Sequence, residues 1–481
     1  MSPRDAAARR VVVLGGGITG LAAAWELTRR ARADGRLVAV VLLEADERLG
    51  GKIRTQSLAG APVETGPDSF VTLKPDALEL VRELGLSGEL IGTGPDAGVS
   101  VYKGGRLVPM PAGMQLITPT KMLPFALSPL LSWRGKLRMA LEPMIPPGRP
   151  DADESLAEFT RRRLGAEALD ALVAPMLAGI FAGDAERLSV RSAFPQLLEL
   201  ERRGGLARAL WTRAPKRERR EGLTTFMTLR SGLSRLSDAL AAALPPGCAR
   251  ANRPVKSLRR GGRGWLVETP RETLEADAVI AALPAPALAA AIEGLDAEMA
   301  LRLREIPFSS TATVTFVYDA KSLPSIPRGF GFLTAPGAGT TVNAATFSSS
   351  KFPARAPAGK VVVRAFVGGA GRDEQAEAEV TSLQSRARED LEKILGWRGV
   401  EPEAALVARW PKANPQYDVG HARRLERLAS CLKGHPGLIL AGSSYGGVGL
   451  PDCARAGRRA AEKALAAIER RTHDALVAAF P

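Results

Sequence analysis

Short apolar runs, each closed by glycine, recur at both ends of the chain. Val11-Val12-Val13-Leu14 has no polar break, the pattern of a parallel strand buried on both faces. It runs into Gly15-Gly16-Gly17-Ile18-Thr19-Gly20 and then Leu21-Ala22-Ala23-Ala24-Trp25-Glu26-Leu27, a sequence of helix formers. Residues 37–43 form a second apolar run ending at Glu44. Residues 278–281, closed by Pro284, and residues 438–442 predict further buried strands. The last of these enters Ser443-Ser444-Tyr445-Gly446-Gly447-Val448-Gly449-Leu450 and then an alanine-rich helix from about Cys453. Residues 252–258 and 264–269 read as short paired strands. Between these returns lie residues 85–221, mostly helical and irregular, and residues 295–410, which are mixed, with strand-like stretches at 311–318 and 360–367.

The first turn has the spacing of a dinucleotide cradle. Gly15 permits a tight turn, Gly17 lets backbone approach a pyrophosphate, and Gly20 lets the helix pack close to the strand. Free N–H groups at the helix start hold the phosphates, here near Ile18 and Thr19. A glycine pattern alone is weak evidence, but this one follows a strand and opens a helix. Glu44 stands 24 residues beyond Gly20, where a carboxylate accepts hydrogen bonds from ribose hydroxyls. The C-terminal turn repeats the strand, glycine turn and helix order, and its helix start can stabilise negative charge. Cys453 falls in that helix start and reads as a packing residue rather than a covalent link.

At 481 residues the chain calls for two or three domains. It carries 66 Lys and Arg against 51 Asp and Glu, a net charge of +15 that favours an anionic partner unless it reflects codon bias alone. No basic motif interleaved with aromatics supports nucleic acid. Three scattered cysteines and three histidines fit neither a disulfide framework nor a metal site, and imply a reducing compartment. Residues 1–10 lack the apolar core of a secretory signal, and no run of 18 apolar residues occurs.

Arg48-Leu49-Gly50-Gly51-Lys52-Ile53-Arg54-Thr55 resembles the second signature of the amine-oxidase-like flavoprotein superfamily, with Lys52 where Arg is usual. That element is missing from nicotinamide dehydrogenases, so the dinucleotide is expected to be FAD, held non-covalently. The implied fold is α/β and α+β: a Rossmann-like FAD-binding domain from segments 1–84, 222–294 and 411–481, a mixed substrate-binding domain at 295–410, and a mainly helical lid and membrane-binding insertion at 85–221. The resemblance adds Ala45, Arg48, Gly66, Pro67, Asp68, Ser69, Val255, Trp410, Gly442, Val448, Gly449 and Leu450 to the cofactor contacts, with Val255 against adenine.

Ala178-Gly179-Ile180-Phe181-Ala182-Gly183-Asp184, Gly329-Phe330-Gly331-Phe332-Leu333, Phe347 to Pro353, Phe366-Val367-Gly368-Gly369, Arg409-Trp410-Pro411 and Pro415-Gln416-Tyr417 are together similar to the protoporphyrinogen oxidase family, in order and spacing along nearly the whole chain. The resemblance implies a six-electron oxidation of a porphyrinogen to a porphyrin by FAD, with dioxygen reduced to hydrogen peroxide. It places the Gly179 backbone, Leu333 and Phe366 against the macrocycle and needs no protein acid or base. Eukaryotic members carry an arginine where Val99 stands here, so Lys103, Arg106 or another cation is expected to anchor the propionates. Whether the substrate is protoporphyrinogen IX or coproporphyrinogen III stays open. Residues 107–146, rich in Leu, Met and Pro with flanking cations, suit either a lid packed on the protein's own core or a surface that dips into one leaflet of the cytoplasmic membrane face. The eight Lys and Arg of residues 199–221 read first as a solvated loop and then as a lipid-head contact. The expected setting is cytoplasmic and peripheral to the membrane, without nucleic acid, and a homodimer is one open assembly. Two rival readings remain: another flavin amine oxidase or carotenoid-type desaturase, and a non-catalytic lipid-binding escort on the same fold.

Overall fold

The computed structural model describes residues 9–479 apart from 96–97, 116–117, 120, 150, 209–221 and 263. Most of the basic stretch 199–221 therefore lies outside the described residues.

Five parallel strands form one sheet in the order Ala249–Arg250, Val38–Leu43, Arg9–Leu14, Ala278–Ala281, Leu438–Leu440. Val11 to Leu14 have no exposed surface, as the unbroken apolar run requires. The strand alternation splits this run between two cores. Val11 and Val13 pack under helices Ile18–Ala33 and Leu450–Ala479. Val12 and Leu14 pack under the antiparallel meander Ser257–Gly261, Gly264–Glu268 and Thr273–Ala276 and under helices Ala285–Ile292 and Ala297–Arg304. The two long helices cross closely, because a Cβ at Gly457 would lie 2.2 Å from the Thr19 carbonyl oxygen.

A second sheet has seven strands: Ala404–Pro415, Phe308–Asp319, Lys360–Gly368, Val342–Phe347, Gly331–Thr334, Val99–Lys103 and Arg106–Pro109. One face is apolar and is covered by helix Val380–Leu395. The opposite face carries, in register, Val101, Leu333, Ala344, Phe366, Thr313 and Ala408.

Two elements differ from the sequence reading. Val99–Lys103 and Arg106–Pro109 fall in the stretch read as mainly helical, yet Val99–Lys103 pairs with Gly331–Thr334, 232 residues away for Val99 and Gly331, and Arg106–Pro109 pairs on its outer edge. The hairpin itself is local, closed by Gly104-Gly105, but its place in the sheet depends on the distant Gly331–Thr334. Residues 411–415, read as part of the final return, instead complete Ala404–Pro415 in this sheet.

The region between 122 and 206 is largely helical. Short helices Leu156–Arg163, Ala166–Ala168 and Pro195–Arg202 surround a core of Leu, Phe and Val side chains. Arg163 and Glu142, each 1 % exposed, form an ion pair there, and Glu142 also accepts from the Leu206 and Ala207 amides. Arg163 also donates to the Ile145 carbonyl, so each charge of this buried pair has a further hydrogen-bond partner, the condition for tolerating charge in a core.

Candidate functional site

The first glycine turn is fixed by sterics. A Cβ at Gly20 would lie 1.9 Å from the Gly15 carbonyl oxygen, so only glycine lets the helix start so near the strand. Gly15, at φ +98°, faces the Ala282 carbonyl with no room for a side chain. At Gly17 the situation is opposite: a Cβ would meet no atom within 4 Å, and it would project into open space at the helix start. The Ile18 side chain packs half-buried on the core below, and Thr19 is buried in the helix crossing. The first N–H groups of a helix lack intrahelical partners and collect positive potential. An open cradle bounded by such groups fits a pyrophosphate.

Glu44 lies beside this turn. Its carboxylate accepts from the Gly16 amide at 2.5 Å and from the Asp46 amide at 2.9 Å. Ala45, next to it, is exposed. The second signature folds back on the first: Gly50 bridges Gly17 in parallel, its amide donates to the Gly16 carbonyl at 2.8 Å, and a Cβ at Gly51 would approach the Gly17 Cα to 3.1 Å. Arg48 closes its own loop, donating to the Gly51 and Ile53 carbonyls at 2.9 and 2.6 Å. Val255 is half-buried on the far side of the sheet, two residues beyond Arg253, whose amide donates to the Glu44 carbonyl.

Lys52 carries the cradle toward the second sheet. Its ammonium donates to the Ala413 carbonyl, and burial holds its pKa below the usual lysine range. Gly66 is packed so tightly on Lys52 that a Cβ would fall 1.8 Å from the Lys52 carbonyl oxygen. The stretch Gly66-Pro67-Asp68-Ser69 then lies half-buried against the seven-stranded sheet. Trp410 Nε1 donates to the Thr65 carbonyl at 2.8 Å, and Arg364 donates to the Thr65 and Gly66 carbonyls at 3.1 and 2.6 Å. Lys351 pairs with Asp68 at 2.9 Å. Burial alone would raise the Asp68 pKa, but Lys351 and Arg364 overcome it and hold the carboxyl at about 2.

The C-terminal turn arrives from the other side. Gly442 is at φ +116° and Gly447 at φ +120°. A Cβ at Gly442 would sit 3.9 Å from Thr19 Oγ1, which brings the two turns together. Val448 is 46 % exposed and Leu450 is buried, while Gly449 packs on the Asp452 carboxylate. Cys453 is buried within the helix, with its thiol toward the Gly447 and Val448 carbonyls. The turn is tied by Tyr417, whose hydroxyl donates to the Ser443 carbonyl and accepts from the Gly447 amide at 2.8 Å. His421 stacks on Tyr417 with ring centroids 4.3 Å apart and planes 13° apart. Desolvation lowers the His421 pKa to about 4, so its ring is neutral at pH 7.

Leu333, Ala344 and Phe366 form a row across neighbouring strands, with Phe366 beneath the Arg364 guanidinium that holds the Gly66 carbonyl, and a Cβ at Gly179 would be 2.6 Å from Leu333 Cδ2 and 2.9 Å from Ala344 Cβ. Gly179 and Leu333 are thus in direct contact, with Phe366 two strands along from Leu333. Lys103 and Arg106 are less central. Lys103 donates to the Leu130 carbonyl at 3.3 Å, and Arg106 is exposed at the end of the edge hairpin.

The residue pattern matches a known family over nearly its full length: residues 18–465 match the flavin containing amine oxidoreductase family. The chain belongs to that family. It is 35 % identical over 468 residues to the coproporphyrinogen III oxidase of Bacillus subtilis (strain 168), covering 95 % of this chain and 98 % of that protein. It is also 35 % identical over 486 residues to the protoporphyrinogen oxidase of Homo sapiens, with the same two coverages. Among solved structures, one named as a protoporphyrinogen oxidase from Exiguobacterium sp. 255-15 superposes with a TM-score of 0.84 at 32 % identity, covering 95 % of this chain and 98 % of that one. Cyclohexylamine oxidase from Brevibacterium oxydans IH-35A shares the mixed α/β fold at 17 % identity and a TM-score of 0.69, covering 97 % of this chain and 100 % of that one.

Sequence reasoning assigned no role to Arg364, Lys351 or Tyr417. Arg364 carried a readable signal: it is the lone cation inside Val361-Val362-Val363-Arg364-Ala365-Phe366-Val367, a run that must be buried. Tyr417 carried none, because its partners are 26 and 30 residues away.

Proposed function

We propose that the chain is an FAD-dependent porphyrinogen oxidase of porphyrin biosynthesis, converting protoporphyrinogen IX to protoporphyrin IX or coproporphyrinogen III to coproporphyrin III, with dioxygen as acceptor and hydrogen peroxide as product. The observation that carries this reading is the meeting of the two glycine turns with the apolar row Leu333, Ala344 and Phe366 through the Gly66–Ser69 stretch. When bound non-covalently in the cradle, FAD supplies the hydride-accepting chemistry and its reoxidation by dioxygen.

The protein's own residues orient and shield. Gly15 to Gly20 and the helix start take the pyrophosphate, and Glu44 takes the ribose. Arg48 to Lys52, Trp410 and the turn from Gly442 to Leu450 enclose the remainder. The helix start at Leu450 and the Lys52 ammonium supply positive potential beside the cradle, which would stabilise negative charge on a reduced cofactor held there. Leu333, Phe366 and the side-chain-free Gly179 form flat apolar walls that suit a macrocycle and exclude water. No acid or base among these residues is needed, since the proton and electron changes reside in substrate and cofactor. Lys103 and Arg106 are rim positions for the substrate carboxylates.

In this reading one dinucleotide-binding domain is assembled from residues 1–84, 222–294 and 416–481, and strands Val99–Lys103, Arg106–Pro109 and Ala404–Pro415 join the substrate domain by their pairing. The helical insertion supplies a lipid-facing surface. Leu123, Leu127, Trp133, Leu137 and Met144 are 55 to 80 % exposed along 22 residues, beside Arg134 and Lys136. Among the described residues no helix is long and apolar enough to cross a membrane, so this surface would lie in one leaflet.

Assaying purified, flavin-loaded protein with both porphyrinogens, following porphyrin fluorescence and peroxide, tests the reading. Turnover of neither substrate overturns it. Phe366→Ala, checked for flavin content, should lower kcat/KM at least about tenfold, or 1.4 kcal/mol.

A further inference from the structure

Behind the Thr65–Ser69 stretch lies a cavity that the oxidase reading does not use. Glu64, Asp68, Thr315, Ser348, Arg355 and Arg364 supply its polar lining, and Ala61, Val63, Phe352 and Val362 its apolar walls. The charges around it do not balance. Arg355 pairs with Glu64 at 2.8 Å and Lys351 with Asp68 at 2.9 Å. Arg364 is left over: it is 3 % exposed and has no carboxylate within ion-pair distance among the described residues. Its Nη2 serves the Thr65 and Gly66 carbonyls, and its Cζ sits 4.8 Å from the Phe366 ring centroid. Its Nε and Nη1 are buried without a partner, and so is Arg355 Nε.

Three charged nitrogens without acceptors, on two guanidiniums lining one cavity, are costly. A buried unmet hydrogen-bond group costs about 1–3 kcal/mol, and more when it is charged. Arg364 shares the field of Asp68 with Lys351, so its buried charge is only partly compensated, which adds to that cost. Water would satisfy donors but would leave the excess charge of Arg364 in place. An anion removes both costs.

We propose that this cavity binds one small monovalent anion of the halide class, held by Arg364 and Arg355. The Ser348, Ser349 and Thr315 hydroxyls lie in the same lining and can turn their protons inward. The Ser349 oxygen already accepts from the Val362 amide at 3.2 Å, which leaves its own proton to give. The Glu64 and Asp68 carboxylates also line the cavity. Each has its own cation, so neither repels the anion uncompensated. The bound ion neutralises Arg364 while Arg364 holds the Thr65 and Gly66 carbonyls. It therefore stiffens the stretch that joins the dinucleotide cradle to the apolar row. This inference stands independently of which substrate the enzyme oxidises.

Two measurements on the flavin-loaded protein test it. Crystals soaked in sodium bromide should show an anomalous peak within hydrogen-bonding reach of Arg364 and Arg355. In solution, replacing gluconate by chloride or bromide at fixed ionic strength should raise the Tm saturably, by about 1–3 °C. Arg364→Met should abolish that halide response. Should that variant fail to fold, Arg364→Lys keeps the charge but removes the guanidinium fork, and its half-saturating halide concentration should rise at least about tenfold. A water without anomalous signal at the site, or a halide response unchanged in Arg364→Lys, overturns the proposal.

Discussion

The two glycine turns perform the same service by different means. The first, at Gly15 to Gly20, is held by backbone against backbone: the Gly20 position meets the Gly15 carbonyl, Gly50 bridges Gly17, and Gly51 packs on the Gly17 Cα. The second, at Gly442 to Leu450, is held by remote groups through side chains: Tyr417 ties Ser443 to Gly447, and the Ser444 hydroxyl accepts from the Ala285 amide. Tyr417 itself belongs to the core of the helical region, beside Leu188 and Val190. The first turn is therefore rigid by local construction. The second is set by how the helical region docks, so it can report on that region's state.

This contrast can be broken at several points. Gly20→Ala should be the most damaging change, because its methyl cannot coexist with the Gly15 carbonyl; a loss of about 4 kcal/mol or more, or failure to fold, is expected in thermal melts. Gly17→Val should leave the apoprotein folded and weaken FAD about a thousandfold or more, about 4 kcal/mol by titration, because the branched side chain fills the open cradle. Equal melting losses in both variants would mean that the open space at Gly17 is structural rather than a cofactor's place.

The second turn should respond to acid where the first does not. His421 has a folded pKa of about 4 against an ordinary value of 6.5. Its contribution is therefore complete above pH 6.5 and is lost as pH falls through 4. The lowered pKa corresponds to up to about 3 kcal/mol. His421→Phe should flatten the Tm against pH curve between about 6.5 and 4, whereas an unchanged slope would remove His421 from the account. Tyr417→Phe keeps the stacked ring and removes only the hydroxyl. It should weaken FAD about tenfold, or 1.4 kcal/mol, and alter the bound flavin's visible spectrum with little change in melting. An unaltered spectrum would show that the second turn holds its shape without the phenol.

The same contrast explains what could be read in the sequence. Gly15 to Glu44 and Arg48 to Lys52 were legible because their partners lie within about 30 residues and their geometry demands glycine at stated spacings. The strands ending at Leu440 and Ala281 were legible as apolar runs between turn residues. Leu333 and Phe366 looked like ordinary core; only a family resemblance singled them out, since their adjacency depends on Val342–Phe347 lying between them. The strand at Val99 was legible only by resemblance, although Gly104-Gly105 between it and Arg106–Pro109 is a local hairpin signal. Nothing in the local pattern distinguishes Lys103 and Arg106 from other surface cations; the hairpin sets Lys103 against the Leu130 carbonyl and Arg106 at its exposed turn.

The pairing of Val99 with Gly331 also bears on how the chain is made. The hairpin leaves the ribosome 232 residues before its partner strand, and at about 5–20 residues per second it waits roughly 10–50 s unpaired. The first strand waits longer for Ala278, and the sheet's far edge at Leu438–Leu440 is completed only near the end of synthesis. Throughout that interval the nascent chain displays bare strand edges and the apolar Met122–Leu127 surface. The order of synthesis thus leaves strand edges of both sheets waiting for partners made much later, the interval in which edge-to-edge association competes with folding.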